Sequence, residues 1–248
     1  MKIRFAIADL LRREGKAVGL QVYPMLLLAL CAVVLIIPRY HSGTSYWRLL
    51  AWLGGDGLVT FLRRAGLSFS FAVQVGLPVI FILASRGKLR ESGLGLGHLK
   101  VGLKMCVLFY GLYVPCFIAL PMNTAFRTYY ARAMSNPAPW STLFTWQLLS
   151  TAMTVFACEF LFRGFLLFGM EKHHGPAPAI LIHLMPYVFH HMGKPEIEIL
   201  GSFPVGLALA YLAVKTRSIW YGVLLHASIA WLLNAAVLIV HQGQAAAP

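Results

Sequence analysis

The chain of 248 residues is 59% hydrophobic, contains only 12% charged residues and has a mean hydropathy of +0.72. A soluble domain of this length cannot bury so much apolar surface, so the composition excludes a soluble globular protein and predicts an all-α, polytopic membrane protein. The formal net charge of +13 does not indicate nucleic-acid binding. The basic residues lie in short loops beside apolar segments, where they act as topology signals and contact lipid headgroups.

The first 142 residues are predicted to hold an N-terminal interfacial helix and accessory membrane spans. Residues 1–17 are basic and loosely amphipathic, which is typical of a helix in the membrane surface. A full-length apolar segment follows them, so we expect no cleavable signal peptide. The apolar stretch 49–62 is short and broken by glycines, which favours an interfacial or re-entrant segment within 39–65. Three spans are predicted, at about 18–38, 66–85 and 101–120.

The remaining residues, 143–248, are predicted to contain four more spans after a loop with some helix. With the N-terminus inside the cell, Lys and Arg are about twice as frequent in the inner segments as in the outer ones, which predicts a cytoplasmic N-terminus. The total is about seven spans in one membrane domain. The four spans lie at about 143–170, 178–192, 199–214 and 219–240.

The fourth span carries a carboxylate and a guanidinium in the middle of an apolar sequence. Glu159 and Arg163 are four residues apart, so their side chains share one helical face and can pair. A charge at hydrocarbon depth costs at least about 2.5–3.5 kcal/mol on insertion scales and is therefore functional by default. We expect the function to depend on Glu159. The alternative is a structural ion pair that locks two helices.

Further polar residues are embedded in the spans that follow, namely His190, His191, His226 and Asn234. Hydrocarbon cannot satisfy these groups, so we expect them to face Glu159 or a wet cavity inside the bundle. A carboxylate, imidazoles and an amide around water suit hydrolysis. The carboxylate can take a proton from water, and a histidine can orient that water or shuttle the proton, while another histidine and the amide can donate to an oxyanion.

Structural interpretations of these residues remain open. His183 is expected to be a packing residue, and His190 a histidine at the water interface. His226 and Asn234 could simply tie helices together by hydrogen bonds. The segment 191–198 is typical of a turn between spans, and its charged residues could solvate or clamp the mouth of a site: Lys194, Glu196 and Glu198.

The cysteines give no metal or disulfide spacing, since Cys31, Cys106, Cys116 and Cys158 all fall in apolar stretches. The first three are expected to be small buried hydrophobic side chains, and Cys158 is equally well explained in that way. Glu and His can bind zinc. However, the chain has no His-Glu-x-x-His helix, and the candidate ligands are scattered over three helices. No cofactor is therefore expected, and a catalytic zinc is not favoured.

Three motifs in order resemble the CPBP family of intramembrane proteases, which includes CAAX prenyl proteases and bacteriocin-processing relatives. They are Glu-x-x-x-Arg-Gly from Glu159, His191 at the end of a short span and His226 in the last span, within about 143–240. The resemblance implies a helical membrane fold with a catalytic cavity inside the bilayer. It also implies hydrolysis of a peptide bond in a membrane-tethered protein or peptide, an inner-membrane location, and a catalytic core formed by residues 143–248.

The same resemblance implies a role for each site residue. Family members are described as glutamate-type proteases. Carried over to this chain, Glu159 would activate water together with His191, and Arg163 would hold Glu159 in place. His226, helped by Asn234, would stabilise the oxyanion.

The chain departs from the family pattern at two positions. The first motif usually has two adjacent glutamates, of which the first is assigned the water-activating role, and here that position is Cys158. The third motif usually has Asn or Asp four residues after its histidine, where this chain has Ala230, with Asn234 one turn further on. With simple span ends, Glu159 also lies toward the inner half of its helix and His191 toward the outer end of the next. They then meet only if the helices tilt, break or shift.

Three functional hypotheses follow. In the first, Glu159 is the base of a variant glutamate protease. In the second, Cys158 is a nucleophile activated by His191, in a thiol peptidase or sorting transpeptidase, with a nearby cation stabilising the thiolate. In the third, the fold has lost catalysis and serves as a membrane scaffold or immunity-type partner. The expected partners are the lipid bilayer and a membrane-tethered substrate, with no nucleic acid.

Overall fold

The computed structural model of the protein describes residues 22–41, 44–133 and 147–245. Within these ranges the chain is helical, with turns and short loops and no strand. The all-α fold predicted from composition is therefore confirmed. The interfacial helix predicted for residues 1–17 lies outside the described residues.

The N-terminal half contributes five helices and one short 3₁₀ turn, at Leu89–Ser92. The five helices are α1 (Val22–Tyr40), α2 (Thr44–Arg64), α3 (Phe69–Ala84), α4 (Leu99–Met122) and α5 (Thr124–Ala133).

The C-terminal half is built around one long helical rod. Helix α6 (Leu148–Glu159) continues through a π-helical segment (Phe160–Leu167) into α7 (Phe168–His174). Gly175, at φ 79°, ends this rod with a backbone conformation that favours glycine. Three helices follow: α8 (Pro176–His190), α9 (Glu196–Thr216) and α10 (Trp220–Ala245).

The protein is a multi-pass membrane protein. Among the described residues, five helices are long and apolar enough to cross a bilayer. Helices α3 and α8 are the other two predicted spans, and at 16 and 15 residues they are shorter than the roughly 20 that a span requires. The five spanning segments are α1, α4, the rod Leu148–His174, α9 and the Trp220–Val240 part of α10.

Helix α2 lies within the segment 39–65, which was predicted to contain an interfacial or re-entrant stretch. It has no buried residue among those described, and its backbone is kinked at Gly55. It meets α3 at an angle of 86°, so the two helices form either one broken span or a re-entrant loop. This geometry agrees with the predicted interfacial or re-entrant segment.

The rod Leu148–His174 forms the centre of the bundle. In its most apolar window 78% of the residues are buried, against 12–33% in the other four spanning segments. Hydrocarbon cannot satisfy the two charges that this rod carries, so the rod belongs inside the bundle and not at its lipid-facing surface. The remaining helices turn large apolar side chains outward, as a lipid-facing surface requires. The two charges of the rod are therefore surrounded by protein.

A glycine-rich linker (residues 93–98) is bound to the turn between α9 and α10. At Gly97 the backbone has φ 53°, and a Cβ there would collide with the carbonyl oxygen of Thr216. The linker thus ties the start of α4 to the start of α10. Its hydrogen bonds are Ile219 N to Gly93 O (2.9 Å), Trp220 Nε1 to Leu94 O (2.7 Å), Tyr221 OH to Leu96 O (2.7 Å) and His98 N to Thr216 O (2.8 Å).

The substitution Gly97→Ala is expected to lower stability, since the positive φ alone costs roughly 1–3 kcal/mol and the methyl group would push the linker off the turn. Gly95→Ala is the matched control, because a Cβ at Gly95 meets nothing within 4 Å. Thermal unfolding of both variants in detergent should show a clear loss for Gly97→Ala alone. Equal melting temperatures would show that the linker contacts do not stabilise the fold.

Candidate active site

Glu159 and Arg163 form the predicted pair. Glu159 is the last residue of α6, and Arg163 lies within the π-helical segment. Both side chains are fully buried, and Arg163 Nη1 donates to Glu159 Oε1 at 3.1 Å. π-Helical turns inside α-helices occur frequently at functional sites. The pair is thus a buried charge-assisted hydrogen bond on the central rod.

His226 of α10 joins this pair from a separate helix. Its Nδ1 lies 2.9 Å from Glu159 Oε1. A carboxylate oxygen accepts hydrogen bonds, so Nδ1 carries the proton and donates it, which leaves the lone pair on Nε2. The His226 side chain is 22% exposed, whereas Glu159 is 0% exposed. The expected convergence of a carboxylate and an imidazole inside the bundle is confirmed for these two residues.

Gly222 lies one helical turn before His226 and allows α10 to approach the carboxylate. A Cβ at this position would lie 2.8 Å from Glu159 Oε2. Among the described residues, Oε2 has no hydrogen-bond partner. One oxygen of Glu159 is therefore shared by Arg163 and His226, and the other remains available.

Tyr187 of α8 supports the opposite partner of the ion pair. The Arg163 Cζ lies 4.1 Å from the centre of the Tyr187 ring, which is fully buried, so that the guanidinium makes a cation–π contact. The same residue holds His191, whose Nδ1 lies 3.0 Å from the Tyr187 carbonyl oxygen. The rings of Tyr187 and His191 also meet edge to face at 4.8 Å.

His191 lies at the C-terminal end of α8, is 5% exposed and forms no hydrogen bond with Glu159. Of the two motif histidines, His226 is therefore the imidazole that meets the carboxylate. The predicted cooperation of His191 with Glu159 has no direct contact to support it. Its role stays a prediction.

Cys158 is buried beside Glu159. One polar atom each of Cys158, Glu159 and His226 lie within 4.8 Å of one another, and this trio could hold a metal ion. However, Glu159 Oε1 already accepts two hydrogen bonds, and a cation here would lie close to the Arg163 guanidinium. The three side chains are of types that bind zinc, but one of the ligand atoms, Glu159 Oε1, is already engaged in hydrogen bonds.

The other predicted residues lie farther from this cluster. Asn234 is half-buried on α10, two turns after His226, and hydrogen-bonds to neither His226 nor Glu159. His190 is half-buried, with its ring 5.6 Å from that of Phe162. His183 is fully buried on α8. The help from Asn234 in stabilising an oxyanion stays a prediction.

The turn after His191 is clamped to neighbouring helices. Lys194 pairs with Glu198 at 2.6 Å, and the Tyr130 hydroxyl of α5 donates to the same carboxylate at 2.6 Å. Burial, followed by the adjacent Glu198 carboxylate, raises the pKa of Tyr130 above its usual range. Lys194 and Glu198 thus fix the turn and Glu196 is exposed, and a role for these three residues at the mouth of a site stays a prediction.

Sequence reasoning missed Tyr187 and Gly222. Each lies four residues before one of the candidate histidines, His191 and His226, and so faces the same side of its helix. That spacing was a usable signal. What it could not give was the contact of Tyr187 with Arg163, which depends on how α8 packs against the rod.

These observations define a multi-pass helical membrane protein with a buried carboxylate–guanidinium–imidazole cluster at its centre. Residues 139–232 match the family model described as type II CAAX prenyl endopeptidase Rce1-like. The match covers less than half of the chain, includes Glu159, His191 and His226, and confirms over this segment the resemblance to CPBP proteases. No curated protein and no solved structure matches the chain.

We expect Gly222→Ala to destabilise the protein by roughly 1–3 kcal/mol, because the methyl group must displace a buried carboxylate. Gly201→Ala is the control, since it also lies within a helix and its Cβ would meet nothing within 4 Å. Thermal unfolding should separate the two variants, with Gly201→Ala neutral or slightly stabilising. If Gly222→Ala is as stable as the control, the close approach of α10 to Glu159 is wrong.

Proposed function

We propose that this protein is an intramembrane endopeptidase that hydrolyses a peptide bond of a membrane-tethered protein or peptide. The observation that carries the proposal is the hydrogen bond between buried Glu159 and partly exposed His226, inside the segment that matches the endopeptidase family. A carboxylate bonded to an imidazole is a proton-accepting unit of the kind that hydrolytic enzymes use.

In the proposed mechanism, the Glu159–His226 pair takes a proton from water, and the hydroxide attacks the scissile carbonyl carbon. The resulting oxyanion would be stabilised by the imidazole of His226 and by the amide of Asn234. The C–N bond then breaks, and the proton held by the pair passes to the leaving amine. Arg163 keeps Glu159 ionised and fixed, because its guanidinium bonds to the same oxygen as His226. His191, held by Tyr187, would assist from the end of α8.

The bilayer and a membrane-tethered substrate are the proposed partners. A prenylated C-terminus of the CAAX type is the first substrate class to test, since the matching family is described by that chemistry. The substrate would enter laterally between helices. In this proposal residues 143–248 form the catalytic core of an inner-membrane protein whose N-terminus is cytoplasmic.

A thiol mechanism is the second candidate, because Cys158 lies in the same cluster as Glu159 and His226. In this case the activating imidazole would be His226, since its ring nitrogen and the Cys158 sulfur belong to the same group of atoms within 4.8 Å of one another. The thiolate would attack the scissile carbonyl, the C–N bond would break with the imidazolium protonating the leaving amine, and water or another amine would then release the acyl group from Cys158.

A cleavage assay with the protein in vesicles distinguishes these mechanisms. The probes are a farnesylated CAAX reporter peptide and an unprenylated lipid-anchored peptide. Glu159→Gln and His226→Gln should each reduce kcat by about 10²–10⁴-fold, as loss of an acid–base group does, and Cys158→Ala should retain activity.

Cys106→Ala is the matched control for the loss of a buried thiol. Loss of cleavage with Cys158→Ala but not with Glu159→Gln would establish the thiol mechanism. Wild-type protein that cleaves neither probe, while remaining folded, would favour the scaffold hypothesis.

The proposed mechanism uses no metal. Treatment of the active protein with EDTA or 1,10-phenanthroline should therefore leave cleavage unchanged, because the Arg163 guanidinium already neutralises Glu159 and would repel a cation there. Metal content measured on the same sample gives an independent check. Inactivation by the chelator that added Zn²⁺ reverses would show instead that Cys158, Glu159 and His226 hold a catalytic ion.

A further inference from the structure

His183 is a buried histidine that the proposed mechanism does not use. It lies on α8, two turns before His191, and is 0% exposed. Its Nδ1 is 2.6 Å from the Ile180 carbonyl oxygen. A carbonyl can only accept, so Nδ1 carries the proton, and Nε2 presents a lone pair. Within the described part of the chain, this Nε2 has no hydrogen-bond partner.

The neighbouring ion pair has complementary groups to offer. Arg163 Nε and Nη2 are buried donors, and Glu159 Oε2 is a buried acceptor, all three without a hydrogen-bond partner among the described residues. The rings of His183 and Tyr187 lie 6.3 Å apart, and Arg163 lies against the Tyr187 ring. His183 is also close enough to interact electrostatically with both Arg163 and Glu159.

One water molecule can link these three side chains, although it leaves one of the two Arg163 nitrogens without an acceptor. It would accept a hydrogen bond from Arg163 and donate one each to His183 Nε2 and Glu159 Oε2. Buried waters typically make about three hydrogen bonds to polar groups that are otherwise unsatisfied. In the described part of the chain these atoms form no direct hydrogen bonds with one another, so His183 Nε2 and Glu159 Oε2 both still need a donor.

We propose that His183 is a positioning residue of the active site, which acts through a buried water on Arg163 and Glu159. The inference rests on the proposed function for its catalytic consequence, although the water site itself does not. It makes His183, rather than His191, the histidine of α8 that lies beside the ion pair. Its effect is to hold the guanidinium and the carboxylate in one arrangement while a substrate binds.

The test compares His183→Gln with His183→Asn. The glutamine amide reaches the position of Nε2 and can accept from the water, whereas the asparagine amide reaches only the position of Nδ1. We expect kcat of His183→Asn to fall roughly tenfold to a hundredfold below that of His183→Gln, as a small misplacement of catalytic groups does. KM and melting temperature should be similar in the two variants.

The same pair of variants at His190, which is half-buried on the same helix, is the control and should give equal kcat values. Equal kcat for His183→Gln and His183→Asn, or losses that follow melting temperature alone, would overturn the proposal.

A second measurement does not need activity. In protein labelled with ¹⁵N-histidine, the His183 signal is assigned by its loss in His183→Gln. We expect the Nδ1–H tautomer with a hydrogen-bonded Nε2 whose shift changes in Arg163→Lys. A free Nε2 that does not respond to Arg163→Lys refutes the water site. If this signature is present but the wild type cleaves nothing, the proposed function fails and the water site stands.

Discussion

The buried ion pair between Glu159 and Arg163 constrains the arrangement of the helices around it. Neither side chain reaches solvent, so the protein itself must provide for both charges. It does so from two other helices. Helix α10 supplies His226 and a glycine that leaves room for the carboxylate, and α8 supplies the Tyr187 ring beneath the guanidinium. The central position of the rod and the packing of α8 and α10 against it follow from this requirement.

The same arrangement leaves one side of the cluster accessible. Among the residues around the carboxylate, His226 is the one with appreciable exposure, so protons and substrate would meet the cluster through its imidazole. Charges fixed inside a protein that excludes water act strongly on a reacting group and need no reorganisation when charge develops. The Tyr187 contacts extend this rigidity to His191 at the end of α8.

Much of the site could be predicted from the sequence, because the signals were local or chemical. The spacing of Glu159 and Arg163 predicted their pairing, and the cost of polar groups in hydrocarbon predicted that an imidazole would join them. Which of the histidines lies beside the carboxylate could not be predicted. It depends on the turn at Gly175 and on packing against the rod. For this reason His191 was expected at the carboxylate, and His183 was assigned to packing.

The linker between α3 and α4 has a mechanical consequence. Its four hydrogen bonds to residues 216–221, which run from the end of α9 to the start of α10, act together with the hydrogen bond between Tyr110 and Ser228 to hold α4 and α10 side by side. These two helices are therefore expected to move together as one rigid unit. A lateral opening between α4 and α10 would have to break every one of these hydrogen bonds.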